Sequence, residues 1–107
     1  MPLYGTLIKI LDNASVAGAG NSFVVFGGGR NVIEANGKTT SGTGSCNINI
    51  EVSDNRVTWK TAGTITLTLG TAQTSDGFTM NAPWYYIRAN VTSISGTGAS
   101  VSVIISA

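Results

Sequence analysis

Cys46-Asn-Ile-Asn-Ile-Glu-Val52 alternates without a break, placing Cys46, Ile48, Ile50 and Val52 on one side and Asn47, Asn49 and Glu51 on the other. A helix, with about 3.6 residues per turn, would scatter these side chains around its circumference, whereas a strand sorts them onto two faces. The stretch is therefore a half-buried strand. Thr64-Ile-Thr-Leu-Thr-Leu69 repeats the pattern with Ile65, Leu67 and Leu69 inward, and Val101, Val103 and Ile105 repeat it again near the C-terminus. Further along, Tyr85, Ile87, Ala89 and Val91 share one face and Tyr86, Arg88, Asn90 and Thr92 the other. Pro83, which cannot donate to a ladder, marks where that strand begins.

Turn chemistry separates these runs. Asn36-Gly37 is read as a two-residue hairpin turn, since both central positions of such a turn favour positive φ. Ser53-Asp54-Asn55, the stretch 70–73 and Asp76-Gly77 are read as further reversals. Two similar segments, Ser41-Gly-Thr-Gly-Ser45 and Ser95-Gly-Thr-Gly98, are read as turns feeding strands. About eight strands result, at residues 4–11, 22–26, 31–35, 45–53, 57–61, 64–69, 85–94 and 99–106. No helix is expected. The fold class is all-β: a two-sheet antiparallel sandwich over residues 1–107, with a jelly roll as the preferred topology and an immunoglobulin-like arrangement as the alternative. Residues 1–20 form an extended N-terminal arm in one version of this reading, because the Gly-rich stretch 14–20 separates strand 4–11 from the body. The expected core is Ile48, Ile50, Ile65, Leu67, Ile87, Val91, Val101 and Val103.

Composition removes several functions. Of 107 residues, 14 are Gly, 14 Thr and 11 Ser, while charged residues make up 10% and balance to a net charge of +1. That charge cannot build the basic stripe nucleic-acid binding requires, so no nucleic-acid partner is expected. No apolar run approaches the length of a membrane span, and the opening lacks the features of a signal peptide, so no membrane partner is expected. With no histidine, the usual general base and the commonest transition-metal ligand are missing. The chain is expected not to be an enzyme.

The remaining chemistry-bearing residues have simpler readings. Asp12, Glu34, Glu51, Asp54 and Asp76 are the only carboxylates, and Asp54 and Asp76 sit beside turn residues whose amides they can bind. No calcium-loop spacing is present, and Gly27-Gly-Gly-Arg30 lacks the spacing of a phosphate-binding loop. No metal, cofactor or catalytic residue is expected. Cys46, the single cysteine, lies on an apolar face and reads as a buried inert thiol. The aromatics differ: Trp84, Tyr85 and Tyr86 are consecutive, so they cannot all be buried on one face. Exposed beside Arg88, they form an interface anchor or a sugar platform; the plainer reading is that the rings cap the open end of the sandwich. Trp59 is core or interface by the same argument. Tyr4, Leu7, Trp59, Trp84, Tyr86 and Arg88 are the candidate interface residues.

The run from Cys46 through Asn49-Ile-Glu-Val-Ser-Asp-Asn-Arg-Val-Thr-Trp59 continues through Gly63-Thr-Ile-Thr-Leu-Thr-Leu69 and Ser75-Asp-Gly-Phe78. Ala82-Pro-Trp-Tyr85 and Ile87-Arg-Ala-Asn-Val-Thr-Ser-Ile-Ser-Gly-Thr-Gly98 complete it. Together these resemble small structural proteins of tailed bacteriophages, most of all the jelly-roll cement, or head decoration, proteins. The resemblance spans about residues 44–106. It implies a virion protein made in the host bacterial cytoplasm and placed on the outer capsid surface. Its implied partners are the major capsid protein and further copies of itself, as a homodimer or homotrimer. The alternatives are a receptor- or carbohydrate-binding module of a tail fibre, or a neck or tail subunit.

Overall fold

The computed structural model describes residues 7–24, 30–81 and 85–106. Nine strand segments follow one another: β1 (Leu7–Ala14), β2 (Gly18–Ala19), β3 (Phe23–Val24), β4 (Arg30–Lys38), β5 (Ser41–Ser53), β6 (Lys60–Leu69), β7 (Thr74–Asn81), β8 (Tyr86–Thr97) and β9 (Ser100–Ser106). They form two antiparallel sheets, one ordered β1-β9-β4-β7 and the other β2-β8-β5-β6, with β3 also paired to β8.

The pairings nest. β1 pairs with β9, β2 and β3 with β8, β4 with β7, and β5 with β6. The chain is thus one long antiparallel ribbon doubled back at the β5–β6 turn and rolled up, so that β4 meets β9 and β5 meets β8. That is the jelly roll, with β2 and β3 sharing one of its eight strand positions.

The alternating runs supply the core between the sheets. Ile48, Ile50, Ile65, Leu67, Ile87, Val91, Val101 and Val103 are all buried, together with Ile10, Ile33, Cys46, Val52 and Leu69. Each of the Ile, Leu and Val side chains contributes about 1.5–3 kcal/mol through burial alone. Burial pushes the Cys46 thiol up to about 11, so it stays protonated at neutral pH.

Four local readings change. Asn36-Gly37 is not a turn: both residues lie within β4, where Asn36 pairs with Ser75 and Ser102. A Cβ at Gly37 would come within 2.6 Å of Val101 Cγ1 and 2.8 Å of the Ser100 oxygen, so glycine serves close packing there. Asp76-Gly77 likewise lies inside β7, a strand the alternation does not announce. Of the run 57–61 only Lys60 and Thr61 are strand, and they continue into 64–69 as one strand, β6, which crosses an irregularity in its pairing with β5 between Ile50 and Glu51; Val57–Trp59 belong to the turn region before it. The two Ser-Gly-Thr-Gly segments do adjoin reversals, Gly98 turning β8 into β9 and Thr39 Oγ1 bonding the Gly42 carbonyl at the β4–β5 connection, but Ser41–Ser45 already belongs to β5 and Ser95–Thr97 still to β8. They lie side by side, with Ser45 Oγ and Ser95 Oγ 3.1 Å apart.

The Ser53-Asp54-Asn55 reversal is present. Buried Ser53 Oγ accepts from the amides of Asn55 and Arg56 at 3.1 and 3.0 Å, and Asn55 Oδ1 accepts from Val57 and Thr58 at 2.8 and 3.0 Å. These bonds hold Arg56 at φ 64°. Of the segment 1–20, Leu7–Ala14 runs along β9 of its own chain, with Ile10 2% exposed; residues 1–6 lie outside the described residues.

Candidate functional site

Alternation that buries Ile48 and Ile50 must turn Asn47, Asn49 and Glu51 outward, and the same parity turns out Arg88 and Asn90 of β8 and Thr64, Thr66 and Thr68 of β6. The register places them in rows across the sheet. Glu51 stands opposite Arg88, and Asn49 stands between Asn90 and Thr64. Arg88 Nε donates to Glu51 Oε1 at 2.7 Å, Asn90 Nδ2 donates to Glu51 Oε2 at 3.2 Å, and Thr64 Oγ1 donates to Asn49 Oδ1 at 2.8 Å. With side chains 26% and 12% exposed, Arg88 and Glu51 form a half-desolvated, charge-assisted pair. The Lys9–Asp12 pair, at 3.4 Å and exposed on both sides, contributes little.

The aromatics stand at one end of this face. Trp59, half-buried just before β6, lies beneath the Arg88 guanidinium, whose Cζ is 4.2 Å from the ring centroid. Arg56, presented by the Ser53–Asn55 turn, lies over Tyr86 with Cζ 4.4 Å from its centroid. Tyr85 stacks on Tyr86 at 4.8 Å and 21°. Tyr85 was expected on the inward face but is 58% exposed, because β8 begins only at Tyr86 and strand parity does not reach back to the bend before it. Val57, 80% exposed, and Val24, opposite Tyr86 on β3, add apolar surface to the same end.

Of the six candidate residues, the structure brings together Trp59, Tyr86 and Arg88. Leu7 opens β1 in the other sheet, opposite Ser106, and does not join them. Tyr4 and Trp84 lie outside the described residues. Sequence reasoning missed Glu51, Asn90 and Arg56. Parity already put Glu51 and Arg88 on outward faces, but only the strand register joins them, and Arg56 depends on the turn that holds it. Among the described residues no group of three His, Cys, Asp or Glu side chains could hold a metal ion. The arrangement offers flat aromatic and guanidinium surfaces beside rows of amides and hydroxyls, which suits binding.

Fold and face together define an antiparallel jelly-roll sandwich with an aromatic and arginine patch on one outer sheet. Its backbone is shared with the SPBc2 prophage-derived protein YomS, at TM-score 0.57 and 19% identity over 97% of this chain and 94% of that one. A structure described as "CBM4 structure and function" matches at TM-score 0.53 and 15% identity over 94% of this chain and 66% of the other. The PBSX exported protein XepA matches at TM-score 0.53 and 15% identity over 94% of this chain, which spans 36% of XepA. These likenesses establish a common fold. No protein-family model matches the sequence, and no curated protein matches it.

Proposed function

We propose that this chain is a non-enzymatic structural protein of a bacteriophage particle, and that it acts as a cement protein binding the major capsid protein on the outer surface of the head. The observation that carries the reading is the patch at the end of the β5–β6–β8 face. There Arg88 is fixed both by Glu51 and by Trp59, and Arg56 is fixed over Tyr86. Aromatic and arginine side chains held in place before contact lose little entropy on binding, which is how protein interfaces concentrate affinity in a few residues. Support for a phage origin comes from the resemblance of residues 44–106 to cement proteins and from the shared fold with YomS along nearly the whole of both chains. A ligand that binds only the assembled lattice stabilises it by mass action, and many copies, each a dimer or trimer, multiply modest contacts.

The exposure of Tyr85 and the fold shared with the CBM4 structure favour a second reading, a glycan-binding module of a tail fibre. One experiment separates them. Wild-type protein and a Trp59→Ala/Tyr86→Ala variant, both checked for folding by circular dichroism, are mixed with expanded and unexpanded heads and applied to a glycan array. The cement reading expects wild type to sediment with heads and the variant to stay in solution. Retention on glycans without head binding would establish the second reading in its place.

A further inference from the structure

Asn36-Gly37 and Asp76-Gly77, the two dipeptides that look like turns in the sequence, lie in neighbouring strands, with Asn36 opposite Ser75 and Ala35 opposite Asp76. Both are also places where a main-chain nitrogen can attack the preceding side-chain carbonyl carbon, since glycine sets no side chain in the way. In an unfolded chain the asparagine reacts faster, because its amide is a better acceptor than a carboxylate.

The fold treats the two dipeptides oppositely. Gly37 is buried in β4, which is paired on both sides, to Thr74 of β7 and to Val101 of β9. That backbone cannot rotate into the ring-closing geometry without breaking two ladders. Among the described residues β7 is the last strand of its sheet, and Gly77 is exposed. The Gly77 amide donates at 2.8 Å to Oδ1 of Asp76. The attacking nitrogen is thus held against an atom one bond from the carbon it would attack, on an edge where amides lack a second strand. Asp76 and Gly77 also border a shallow open depression shared with Val32, Glu34 and Phe78, which admits water.

We propose that Asp76-Gly77 is a site of spontaneous isoaspartate formation in the folded protein, while Asn36-Gly37 is protected. The Gly77 nitrogen bonds to Cγ of the protonated Asp76 carboxyl group. The amide proton and the carboxyl hydroxyl leave as water, and a five-membered succinimide remains. Water then adds to the ring at the Asp76 main-chain carbonyl, and the bond from that carbon to the Gly77 nitrogen breaks. The chain afterwards runs through the former side chain. Composition is unchanged, but β7 carries an extra main-chain atom opposite Ala35 and Glu34, which disturbs its ladder with β4.

The test incubates the folded full-length protein at neutral pH, where an unfolded Asn-Gly reacts faster than an unfolded Asp-Gly, and a parallel sample in urea. Acidic digestion and electron-transfer fragmentation then distinguish isoaspartate from aspartate at residue 76, and mass gain reports deamidation at residue 36. The folded sample should accumulate isoaspartate at residue 76 several-fold faster than it deamidates Asn36, and urea should reverse that order. Asp76→Glu, which keeps the charge but would need a strained larger ring, should abolish the signal. Deamidation of Asn36 at an equal or faster rate in the folded protein, an unmodified residue 76, or a signal that persists in Asp76→Glu each overturns the proposal. Gly77→Ala is avoided, since a Cβ there would meet the Ile33 carbonyl oxygen.

Discussion

Arg88 sits over Trp59, its Cζ 4.2 Å from the ring centroid, while its Nε holds Glu51 at 2.7 Å. One guanidinium therefore ties β8 to β5 and to the approach to β6. Arg88→Ala leaves the mostly buried Glu51 carboxylate with Asn90 as its remaining side-chain donor. The expected loss is about 1–3 kcal/mol, read from the midpoint of urea unfolding. Arg88→Lys keeps the charge but loses the planar stack, and should fall between wild type and Ala. An unchanged midpoint for Arg88→Ala would mean the pair contributes nothing to the fold.

Ile50 and Leu67 lie inside the sandwich, and Thr66 lies on the outer side of the same sheet. Truncating either apolar residue to Ala should cost about 2–5 kcal/mol. Thr66→Ala should move stability by less than about 0.5 kcal/mol, as surface changes do. Equal effects on the two faces, measured by denaturant titration, would contradict this assignment of inside and outside.

Gly37 and Gly70 give a matched pair. A methyl at Gly37 would press on Val101, the Ser100 carbonyl and Leu69, whereas one at Gly70 would meet nothing within 4 Å. Gly37→Ala should therefore lower the thermal midpoint. Gly70→Ala should leave it unchanged or raise it, with a gain of about 0.4–1 kcal/mol from the reduced entropy of the unfolded chain.

The contrast between those glycines also explains which parts of the fold were legible in the sequence. Periodicity identified Cys46–Val52 and Ile65–Leu69 because the sandwich demands one apolar and one polar face there, and the core followed. Asn36-Gly37 and Asp76-Gly77 misled because glycine has two uses, turning a chain and letting another backbone approach, and local sequence does not distinguish them. β7 stayed hidden because Ser75-Asp-Gly-Phe78 alternates poorly: Asp76, Gly77 and Thr79 are all exposed. At the patch, parity gave Arg88 and Tyr86 their side of the sheet. The link to Glu51 depends on register between strands 37 residues apart, and the Arg56–Tyr86 contact on a positive-φ turn.

Cys46 gives a pH dependence. Its folded value near 11 lies above the ordinary 9.0 because burial disfavours the thiolate. Below pH 9 both folded and unfolded chains hold the proton, and the thiol is neutral in stability. Between about 9 and 11 the unfolded thiol ionises and the folded one does not, so stability falls as pH rises, by about 2–3 kcal/mol across the window. Urea midpoints at pH 8 and 10.5 check this, with Cys46→Ala as the comparison. The slope specific to Cys46 should vanish in the variant, and iodoacetamide should label the native thiol far more slowly than the unfolded one.

Two N-terminal deletions separate folding from reach. Removing residues 1–12 takes away most of β1, including Ile10, and leaves Val103 to Ser106 of β9 without their outer partner. The loss of Ile10 alone should cost about 2–5 kcal/mol. The uncovered edge of β9 should also pair with other copies, so the truncated protein should unfold earlier and sediment as larger species. Removing residues 1–6 leaves β1 whole, and stability should match wild type. If the N-terminus contributes to docking on the head, this shorter deletion weakens co-sedimentation with heads at unchanged stability. A fully stable, monodisperse protein lacking residues 1–12 would show that β1 is dispensable to the sandwich. Unchanged head binding without residues 1–6 would leave the aromatic patch of the β5–β6–β8 face to carry the contact by itself.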